Sequence, residues 1–524
     1  MTADPSTLPT TMPSSRSDVA RGAATGAVAA AAALAAPEVL AAVVPGAPSL
    51  VASVGAAVIA LQPPGAKDFV VALFGEADKL ALEVTIVVVA LALGALLGIV
   101  ARRRFPVAAS GFGVAGVVGF VAALSDPVAS PAIAILAAAV AVGAGVLVLA
   151  WLGSDDGAPT RGTGSPMPDW NRRGFLIRAG AIGVASAFAG IIGRTVLAAR
   201  AEDVVPIGAY PPPTNEAVLP PGAVLPVDGI TQLVVPNDRF YRIDTALLVP
   251  VVDAATWRLR IHGMVERETE LTFDELLQLP MIEQYVTIAC VSNQVGGRLV
   301  GNAKWTGVPL RDVLELAGVK AGATQLVGRS VDGWTAGMPT AWIMDEGREP
   351  LIAVQMNDEP LPAQHGYPAR LIVPGLYGYV SATKWLAELE LTTLEAFDAY
   401  WVPLGWAKEA PILTQSRIDV PRHNMAVAGS PVVLAGVAWA PDRGVARVEV
   451  AIDGEWRDAV MSVPISDATW VQWTYDWIDP PAGRHEIKVR ATDGTGVVQT
   501  PERTRPDPDG ARGHHTIEVD VTAA

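Results

Sequence analysis

The sequence predicts a multi-domain protein with transmembrane α-helices at its N-terminus and an all-β sandwich at its C-terminus. Apolar residues make up 51% of the 524 residues, and the long uninterrupted apolar runs all lie before residue 200. A proline-rich segment follows them. After about residue 411 the pattern changes to short alternating strands. The segment between the prolines and these strands carries the single cysteine of the chain.

Residues 1–200 form the predicted membrane region. Each of its three clearest apolar runs is about twenty residues long, enough to cross about 30 Å of hydrocarbon. The five predicted helices cover residues 22–44, 82–101, 105–124, 131–152 and 174–196. The first of them is rich in alanine and contains Pro37-Glu38, so a low-complexity linker is its competing interpretation. Whether residues 22–61 cross the membrane once or twice stays open.

Arginine clusters orient these helices. The run Asn171-Arg172-Arg173-Gly174-Phe175-Leu176 lies directly before the fifth helix and resembles a twin-arginine export signal. The alternative is an ordinary helix with positive flanking charge. Five helices place this cluster, Arg16/Arg21 and Arg102–Arg104 on the cytoplasmic side. The sequence therefore predicts a multi-pass cell-membrane protein with residues 201–524 outside the cytoplasm.

The region after the membrane helices is predicted to begin with a proline-rich linker over residues 201–236. Its Pro211-Pro212-Pro213 run favours an extended, semi-rigid spacer. At the other end, Ala446–Ile452 and His485–Ala491 alternate like strands, with turns such as Asp453-Gly454. This pattern indicates a β-sandwich over residues 411–524.

The net charge restricts the partners. It is −15 for the whole chain, and the acidic excess lies beyond residue 200. A surface of this sign repels nucleic acid and anionic lipid headgroups. We therefore expect no nucleic-acid partner.

Cys290 is the chemically most informative residue. A lone thiol forms no internal disulfide, no four-cysteine zinc site and no iron–sulfur cluster. It remains a single soft metal ligand, a nucleophile or a buried small hydrophobe, and the last is the usual state of an unselected cysteine. The sequence around it changes that balance, because an apolar strand ends at Cys290 and opens into a loop with Gly296-Gly297.

Several ordered blocks on either side of Cys290 match one known family. The blocks are Asn237–Arg242, Ala303–Leu310, Met356–Pro362, His365–Gly375 and Lys384–Leu386. In that order and at those spacings they resemble the molybdopterin-binding domain of the sulfite oxidase family over about residues 230–400, with a weaker match in the domain that follows. The resemblance implies an α+β molybdopterin-binding domain at 237–405 and an immunoglobulin-like dimerisation domain at 411–524, through which a homodimer would form.

The resemblance also assigns roles to residues. It implies that Cys290 is the thiolate that binds molybdenum, and a soft thiolate suits such a metal. The dithiolene and phosphate of the pterin are anionic and need hydrogen-bond donors and positive charge. The cofactor-binding positions that it implies are Phe240, Tyr241, Arg242, Asn293, His365, Arg370, Thr383 and Lys384. Taken singly, such a histidine or arginine is more often a loop or strand residue, so the joint spacing carries this prediction.

The substrate pocket departs from the family. Sulfite-oxidising members follow the cysteine motif with Asn-Arg-Arg, whereas this chain has Asn293-Gln294-Val295. The family's active-site tyrosine falls on Trp406, and a C-terminal arginine aligns with the run His514-His515-Thr516. Arg242 is retained, and we expect Arg298 to substitute from the shortened loop. A pocket walled by these two arginines and Trp406 is less cationic than a sulfite dianion requires, so we expect another substrate.

Electron transfer is limited by what the chain lacks. All six histidines lie beyond residue 200, so the membrane helices hold no bis-histidine haem. One cysteine also excludes a Cys-x-x-Cys-His haem attachment and an iron–sulfur cluster. We therefore expect molybdenum-molybdopterin as the cofactor and a separate electron-transfer partner, either a quinone or a small carrier.

The sequence thus predicts a membrane-anchored molybdenum oxidoreductase that carries out two-electron oxygen-atom transfer on a small substrate outside the cytoplasm. Its direction stays open. One alternative is a non-catalytic membrane scaffold that retains the fold, which the intact set of Cys290, His365, Arg370 and Lys384 disfavours. Another is transport by the N-terminal helices. That alternative is disfavoured on the expectation that the spans carry almost no charge, because ionisable residues usually mark a substrate path.

Overall fold

The computed structural model describes residues 16–62, 73–74, 78–126, 129–154, 169–202 and 210–522. They divide into two compact units. The first contains the residues described up to Arg200 together with Ala246–Leu248. The second contains the remainder, including all of the β-sheet.

The first unit is helical. Its helices are α1 (Arg16–Val43), α2 (Leu50–Leu61), α3 (Asp78–Leu124), α4 (Pro131–Gly153) and α5 (Asp169–Glu202). All except α2 are long and apolar enough to cross a membrane, so the N-terminal apolar helices are confirmed. The alanine-rich stretch is helical throughout α1, and its interpretation as a linker is therefore wrong. α2, with 12 residues, is shorter than a span.

α3 contains a break that matches the boundary between two predicted helices. Arg104 has φ −142° and ψ 68°, outside the helical region, and Pro106 follows two residues later. Proline removes a helical hydrogen bond and clashes with the preceding turn, which explains a kink at this point. The element has 47 residues, long enough for two crossings of about twenty residues each.

α1 and α3 pack with their backbones in close contact. A Cβ atom on Gly26 would collide with the carbonyl oxygen of Gly94, and one on Gly98 would collide with that of Gly22. Glycine at facing positions is the usual means by which apolar helices approach this closely in a membrane.

Three of the few charged residues within the predicted spans lie close together across three helices. Arg194 of α5 forms an ion pair with Glu83 of α3, and its guanidinium also lies 3.9 Å from Glu38 of α1. Ser49 donates a hydrogen bond of 2.7 Å to Glu38. Each of these charged side chains is isolated in its own apolar run, and the packing of three helices brings them together. Their mutual pairing offsets the cost of burial.

The next part of the second unit contains one mixed sheet and one antiparallel sheet. Their strands are β1 (Arg258–Gly263), β2 (Thr269–Thr272), β3 (Ile282–Ala289), β4 (Val300–Pro309), β5 (Gln325–Ser330), β6 (Thr335–Pro339), β7 (Leu351–Met356), β8 (Glu359–Pro360), β9 (Arg370–Ile372) and β10 (Leu386–Thr392). One sheet has the order β2-β1-β10-β5-β6, with β1 and β10 parallel. The other has the order β3-β4-β7-β8, and β9 pairs with β7.

Short helices connect these strands. They are α6 (Phe273–Leu277), α7 (Leu310–Ala317), α8 (Thr340–Ile343) and α9 (Gly378–Ser381). A capping box formed by Thr272 and Glu275 starts α6. In α7 the apolar residues Leu310, Val313, Leu314 and Ala317 recur at helical spacing and are buried. The domain is therefore a mixed α and β structure around one large core.

The C-terminal region is β-rich, as predicted. Its strands are β11 (Gln415–Val420), β12 (Met425–Val427), β13 (Val432–Trp439), β14 (Val445–Ile452), β15 (Glu455–Asp458), β16 (Val460–Met461), β17 (Val471–Trp477), β18 (Gly483–Asp493) and β19 (His515–Val521). They form two sheets with the orders β11-β13-β17-β16 and β12-β19-β18-β14-β15. Both sheets contribute to one apolar cluster, which places the core of a sandwich between them.

The segment before these domains packs against them. Thr214 donates its backbone N–H to Met281, and Val235 donates to Asn302. Leu225 donates its N–H to the side chain of Gln472 in β17. Residues 210–236 are therefore hydrogen-bonded to the rest of the second unit, whereas the prolines alone predicted an extended spacer. Residues 203–209 of the predicted linker lie outside the described residues.

Candidate active site

The loop that carries Cys290 connects two paired strands of the second sheet. β3 ends at Ala289, and β4 begins at Val300. The N–H of Cys290 donates to the Leu299 carbonyl at 2.9 Å, and the N–H of Leu299 donates to Asn293 Oδ1 at 2.9 Å. Asn293, which was predicted to bind the cofactor, closes this loop with its side-chain oxygen.

The Cys290 thiol is partly exposed and lies 2.9 Å from the hydroxyl of Ser292. Tyr241 and Tyr377 lie near it. Burial, followed by the negative charge of a Cys290 thiolate, raises the pKa of Tyr241. Burial likewise raises the pKa of Tyr377, with a smaller contribution from Cys290. A Cβ atom on Gly378 would lie 3.6 Å from the Ala289 carbonyl and 3.9 Å from the Tyr241 hydroxyl, so the start of α9 passes close to the thiol.

The C-terminal region holds the outer end of the cysteine loop. Arg417 of β11 donates to the Gly297 carbonyl at 2.7 Å. The ring of His515 in β19 lies against Gly296, where any Cβ atom would collide with it. Burial lowers the pKa of His515 to about 4, so this ring is neutral at pH 7. The run His514–Thr516, aligned with a pocket arginine of the family, thus supplies packing to the loop through His515.

His365 and Arg370 form a buried pair beside Phe240. The Nε2 atom of His365 lies 2.9 Å from the Asn237 carbonyl, and burial lowers the pKa of this histidine to about 3. Arg370 donates from Nη1 to the His365 carbonyl at 2.9 Å. Its Nε atom is buried without a hydrogen-bond partner, and no described carboxylate is paired with it. Burial lowers the pKa of Arg370 to about 10, the direction expected of a cation short of compensating negative charge.

Lys384 and Arg242 meet at a carboxylate that the sequence did not reveal. Asp244 accepts hydrogen bonds from Lys384 Nζ at 3.0 Å and from Arg242 Nε at 2.9 Å. Burial lowers the pKa of Lys384 to about 8, while Asp244 opposes that shift. Lys384 lies 140 residues beyond Asp244 in the sequence, and no local motif connects the two. Only the fold could identify this partner.

The other predicted site residues are distributed around this centre. Phe240 stacks on Tyr241 at 5.3 Å between ring centroids and meets the edge of His365 at 5.7 Å. Thr383 is fully buried, with its hydroxyl bonded to the Gly328 carbonyl, and therefore forms part of the core. Arg298 is exposed in the cysteine loop and has no hydrogen bond or ion pair with any described residue.

Trp406 lies at the rim of the site. Its ring packs on Tyr379 at 5.9 Å, two residues beyond Tyr377. The segment between β18 and β19 lies on the same side, since the N–H of Ala407 donates to the Pro508 carbonyl at 3.0 Å. A Cβ atom on Gly510 would lie only 2.5 Å from the Tyr377 hydroxyl. This contribution from the C-terminal region was not predicted.

Comparison with known proteins gives the same assignment. Residues 246–401 match the oxidoreductase molybdopterin binding domain. Mitochondrial sulfite oxidase of Homo sapiens is 30% identical over 318 residues, which cover 52% of this chain and 57% of that protein. Residues 246–401 are thus a molybdopterin-binding oxidoreductase domain similar to that of sulfite oxidase. A nitrate reductase of Hordeum vulgare is 27% identical over 49% of this chain and 35% of its own length.

A solved structure is similar to this chain over part of its length. The sulfane dehydrogenase SoxCD of Paracoccus pantotrophus superposes with a TM-score of 0.49 at 23% identity, covering 60% of this chain and 90% of that one. The chain spans between about a third and three fifths of the length of the curated relatives given above.

The site residues fit the cofactor of the sulfite oxidase family. Within the described ranges no group of three or more His, Cys, Asp or Glu side chains is arranged to hold a metal ion. A metal bound by Cys290 would therefore depend on a cofactor for its other ligands. The unpartnered Nε of Arg370 is a buried donor that suits an anionic group such as a phosphate.

We predict that Arg370→Gln lowers the molybdenum and pterin content of the purified protein several-fold while leaving the apoprotein at least as stable as wild type. Removing a buried cation that has no carboxylate partner relieves a desolvation cost and deletes a phosphate contact. Metal analysis and thermal unfolding of both forms measure the two effects.

The matched control is Arg329→Gln, because Arg329 is half-buried and paired with Glu390. This variant should keep its cofactor. Full cofactor retention in Arg370→Gln would contradict the assignment.

Proposed function

We propose that this protein is a membrane-anchored molybdenum oxidoreductase that transfers an oxygen atom, with two electrons, to or from a small substrate. The observation that carries the proposal is that Cys290, directly after β3, and Arg370, a buried guanidinium with an unbonded Nε, both lie near Tyr241, because the charges of both act on its pKa. A scaffold without a cofactor gains nothing from leaving such a group unpaired, because an uncompensated buried cation destabilises the fold.

We infer that Cys290 binds the metal and that His365, Arg370 and Lys384 contact the pterin. When bound, the molybdenum cofactor supplies two-electron redox chemistry at an oxygen atom. The protein residues would hold and orient this cofactor. The cysteine loop is closed by Asn293, and Tyr241 and Tyr377 stand beside the thiol as neutral hydrogen-bonding groups at pH 7, since burial raises the pKa of both.

The proposed substrate is not sulfite. The relatives named above are a sulfite oxidase and a nitrate reductase, whose substrates are oxyanions. Here the retained arginine, Arg242, donates to Asp244, which also accepts from Lys384. Arg242 and Lys384 are therefore both already paired with a carboxylate. Binding a dianion requires uncompensated donors, and Gln294 and Val295 supply no charge beside the cysteine.

Trp406 remains our proposal for a pocket wall, together with Arg242 and Arg298. Trp406 packs on Tyr379, which gives the rim an aromatic surface. Such a surface favours a neutral or weakly polar substrate, for example an S-oxide or an N-oxide. Electrons would pass to or from a separate quinone or small carrier, and a homodimer through an immunoglobulin-like C-terminal domain stays a prediction.

The membrane placement is also a proposal. The kink at Arg104 lies in a basic cluster between two apolar halves of α3, as expected of a cytoplasmic turn. Arg102 pairs with Asp18 of α1, so the kinked middle of α3 lies beside the start of α1. With five crossings, the second unit would lie outside the cytoplasm.

The charge of the substrate can be tested on purified, molybdenum-loaded protein with artificial redox dyes. We predict that the kcat/KM for sulfite is at least about 100-fold below that for the best neutral S-oxide or N-oxide, because about two charge-assisted hydrogen bonds are missing. Cys290→Ser serves as the inactive control. Sulfite as the best substrate would contradict the pocket assignment, and no turnover of any oxygen donor or acceptor would contradict the function.

Sidedness can be tested by adding one cysteine to the chain. Asp458→Cys lies on an exposed strand of the second unit, and Arg103→Cys lies at the kink of α3. In right-side-out membrane vesicles a membrane-impermeant maleimide should label the first variant and not the second.

Detergent-solubilised samples should show labelling of both variants, and the parent chain gives the background from Cys290. Labelling of Arg103→Cys in sealed vesicles would reverse the proposed topology.

A further inference from the structure

The segment between β18 and β19 places a charged pair at the rim of the Cys290 site. Gly510 lies against the hydroxyl of Tyr377, and the Pro508 carbonyl is bonded to Ala407, next to Trp406. Between these contacts, Arg512 meets Asp509 through two hydrogen bonds of 3.1 and 2.6 Å. Both side chains are a little over one-third exposed, so solvent reaches them.

The charges of this pair act on two neighbouring tyrosines, Tyr377 and Tyr379. Asp509 raises the pKa of Tyr379, after the larger effect of burial, and both partners act on Tyr377. The hydrogen bond with Asp509 is also the main reason that the pKa of Arg512 is raised. Tyr377 itself senses the charge of Cys290. The guanidinium of Arg512 therefore lies in the neighbourhood of Tyr377, which itself lies near Cys290.

We propose that Asp509 is a specificity-determining residue that occupies the guanidinium of Arg512 and so excludes oxyanions from the site. The proposal rests on the function proposed above and names the residue that determines which substrate charge the site accepts. A carboxylate and an oxyanion bind the same fork of guanidinium N–H donors. Asp509 therefore competes directly with a sulfate-like or nitrate-like group.

The backbone of Arg512 is held by contacts that do not involve the Asp509 side chain. Its N–H donates to the Thr504 hydroxyl at 3.0 Å, and its carbonyl accepts from the Thr504 N–H at 3.0 Å. Gly510 has φ 114°, a conformation that suits glycine, and fixes the turn between the two partners. Replacing the carboxylate by an amide should thus expose the guanidinium in place.

A second carboxylate, Glu502, also acts on Arg512, but only as the weakest contribution to its raised pKa. Glu502 has no hydrogen bond to the guanidinium among the described residues. We therefore expect Asp509 alone to control the availability of the donors.

The test is titration calorimetry with sodium sulfate on the purified, molybdenum-loaded chain in detergent, at constant ionic strength. Asp509→Asn should bind sulfate at least about tenfold more tightly than wild type, because a charge-assisted pair is freed for the anion. The double variant Asp509→Asn/Arg512→Gln should lose that gain. Asp458→Asn is the matched control, since Asp458 pairs with Arg447 on an exposed strand, and it should bind as wild type does.

Unchanged sulfate affinity in Asp509→Asn, or a gain that survives in the double variant, would overturn the proposal. Should Asp509→Asn lose its molybdenum or its folding transition, Asp509→Ser is titrated instead under the same criteria. Sulfate binding requires no turnover. If the chain transfers no oxygen atom but its variants bind sulfate as predicted, the proposed function is disproved and the role of Asp509 is supported. If it transfers oxygen atoms but the variants do not bind sulfate as predicted, the proposed function is supported and the role of Asp509 is disproved.

Discussion

The cysteine loop at residues 290–299 is the constraint on which the site depends. Its inner end is fixed by the pairing of β3 with β4 and by the bond between Asn293 and Leu299. Its outer end is held by Arg417 and His515 from the C-terminal region. A metal ligand must be positioned within a fraction of an ångström to be effective. The C-terminal region therefore helps to hold the loop of the proposed metal ligand. Its Trp439 and Trp470 also pack into the core of the preceding domain.

Charge compensation organises the rest of the site. Arg242 and Lys384 share Asp244, Arg417 is paired with Asp419, and Arg512 with Asp509. Arg370 departs from this pattern, because it is buried without a carboxylate partner among the described residues and its Nε is unbonded, while its other contacts are the His365 carbonyl and the Trp305 ring. In a partly buried site, the cation without a carboxylate is the one with donors available for an anionic ligand. The same logic supports our proposal that Arg370 binds the cofactor, and it leaves Arg298 on the proposed substrate side as a cation without a carboxylate partner among the described residues.

Sequence alone predicted the residues whose motifs are local. The apolar runs gave the helices of the first unit, and the spacing of Cys290, His365, Arg370 and Lys384 gave a set that the structure brings into one region. Asp244, Asp509 and Arg512 escaped prediction because their significance lies in contacts across the fold. The same holds for Arg194, which meets Glu38 and Glu83 only when three helices pack. Asn293 and Thr383 were predicted from a motif, but the motif did not show what their side chains contact. The Asn293 side chain closes the cysteine loop, and the Thr383 hydroxyl is bonded within the core.

The most direct test of the central claim is elemental analysis of molybdenum combined with absorption spectroscopy, on wild type and on Cys290→Ser made in parallel in a host that synthesises molybdopterin. The account predicts about one molybdenum per wild-type chain and a thiolate-to-metal absorption band that the variant lacks. A folded wild-type protein without molybdenum, or a variant that keeps the band, would contradict it.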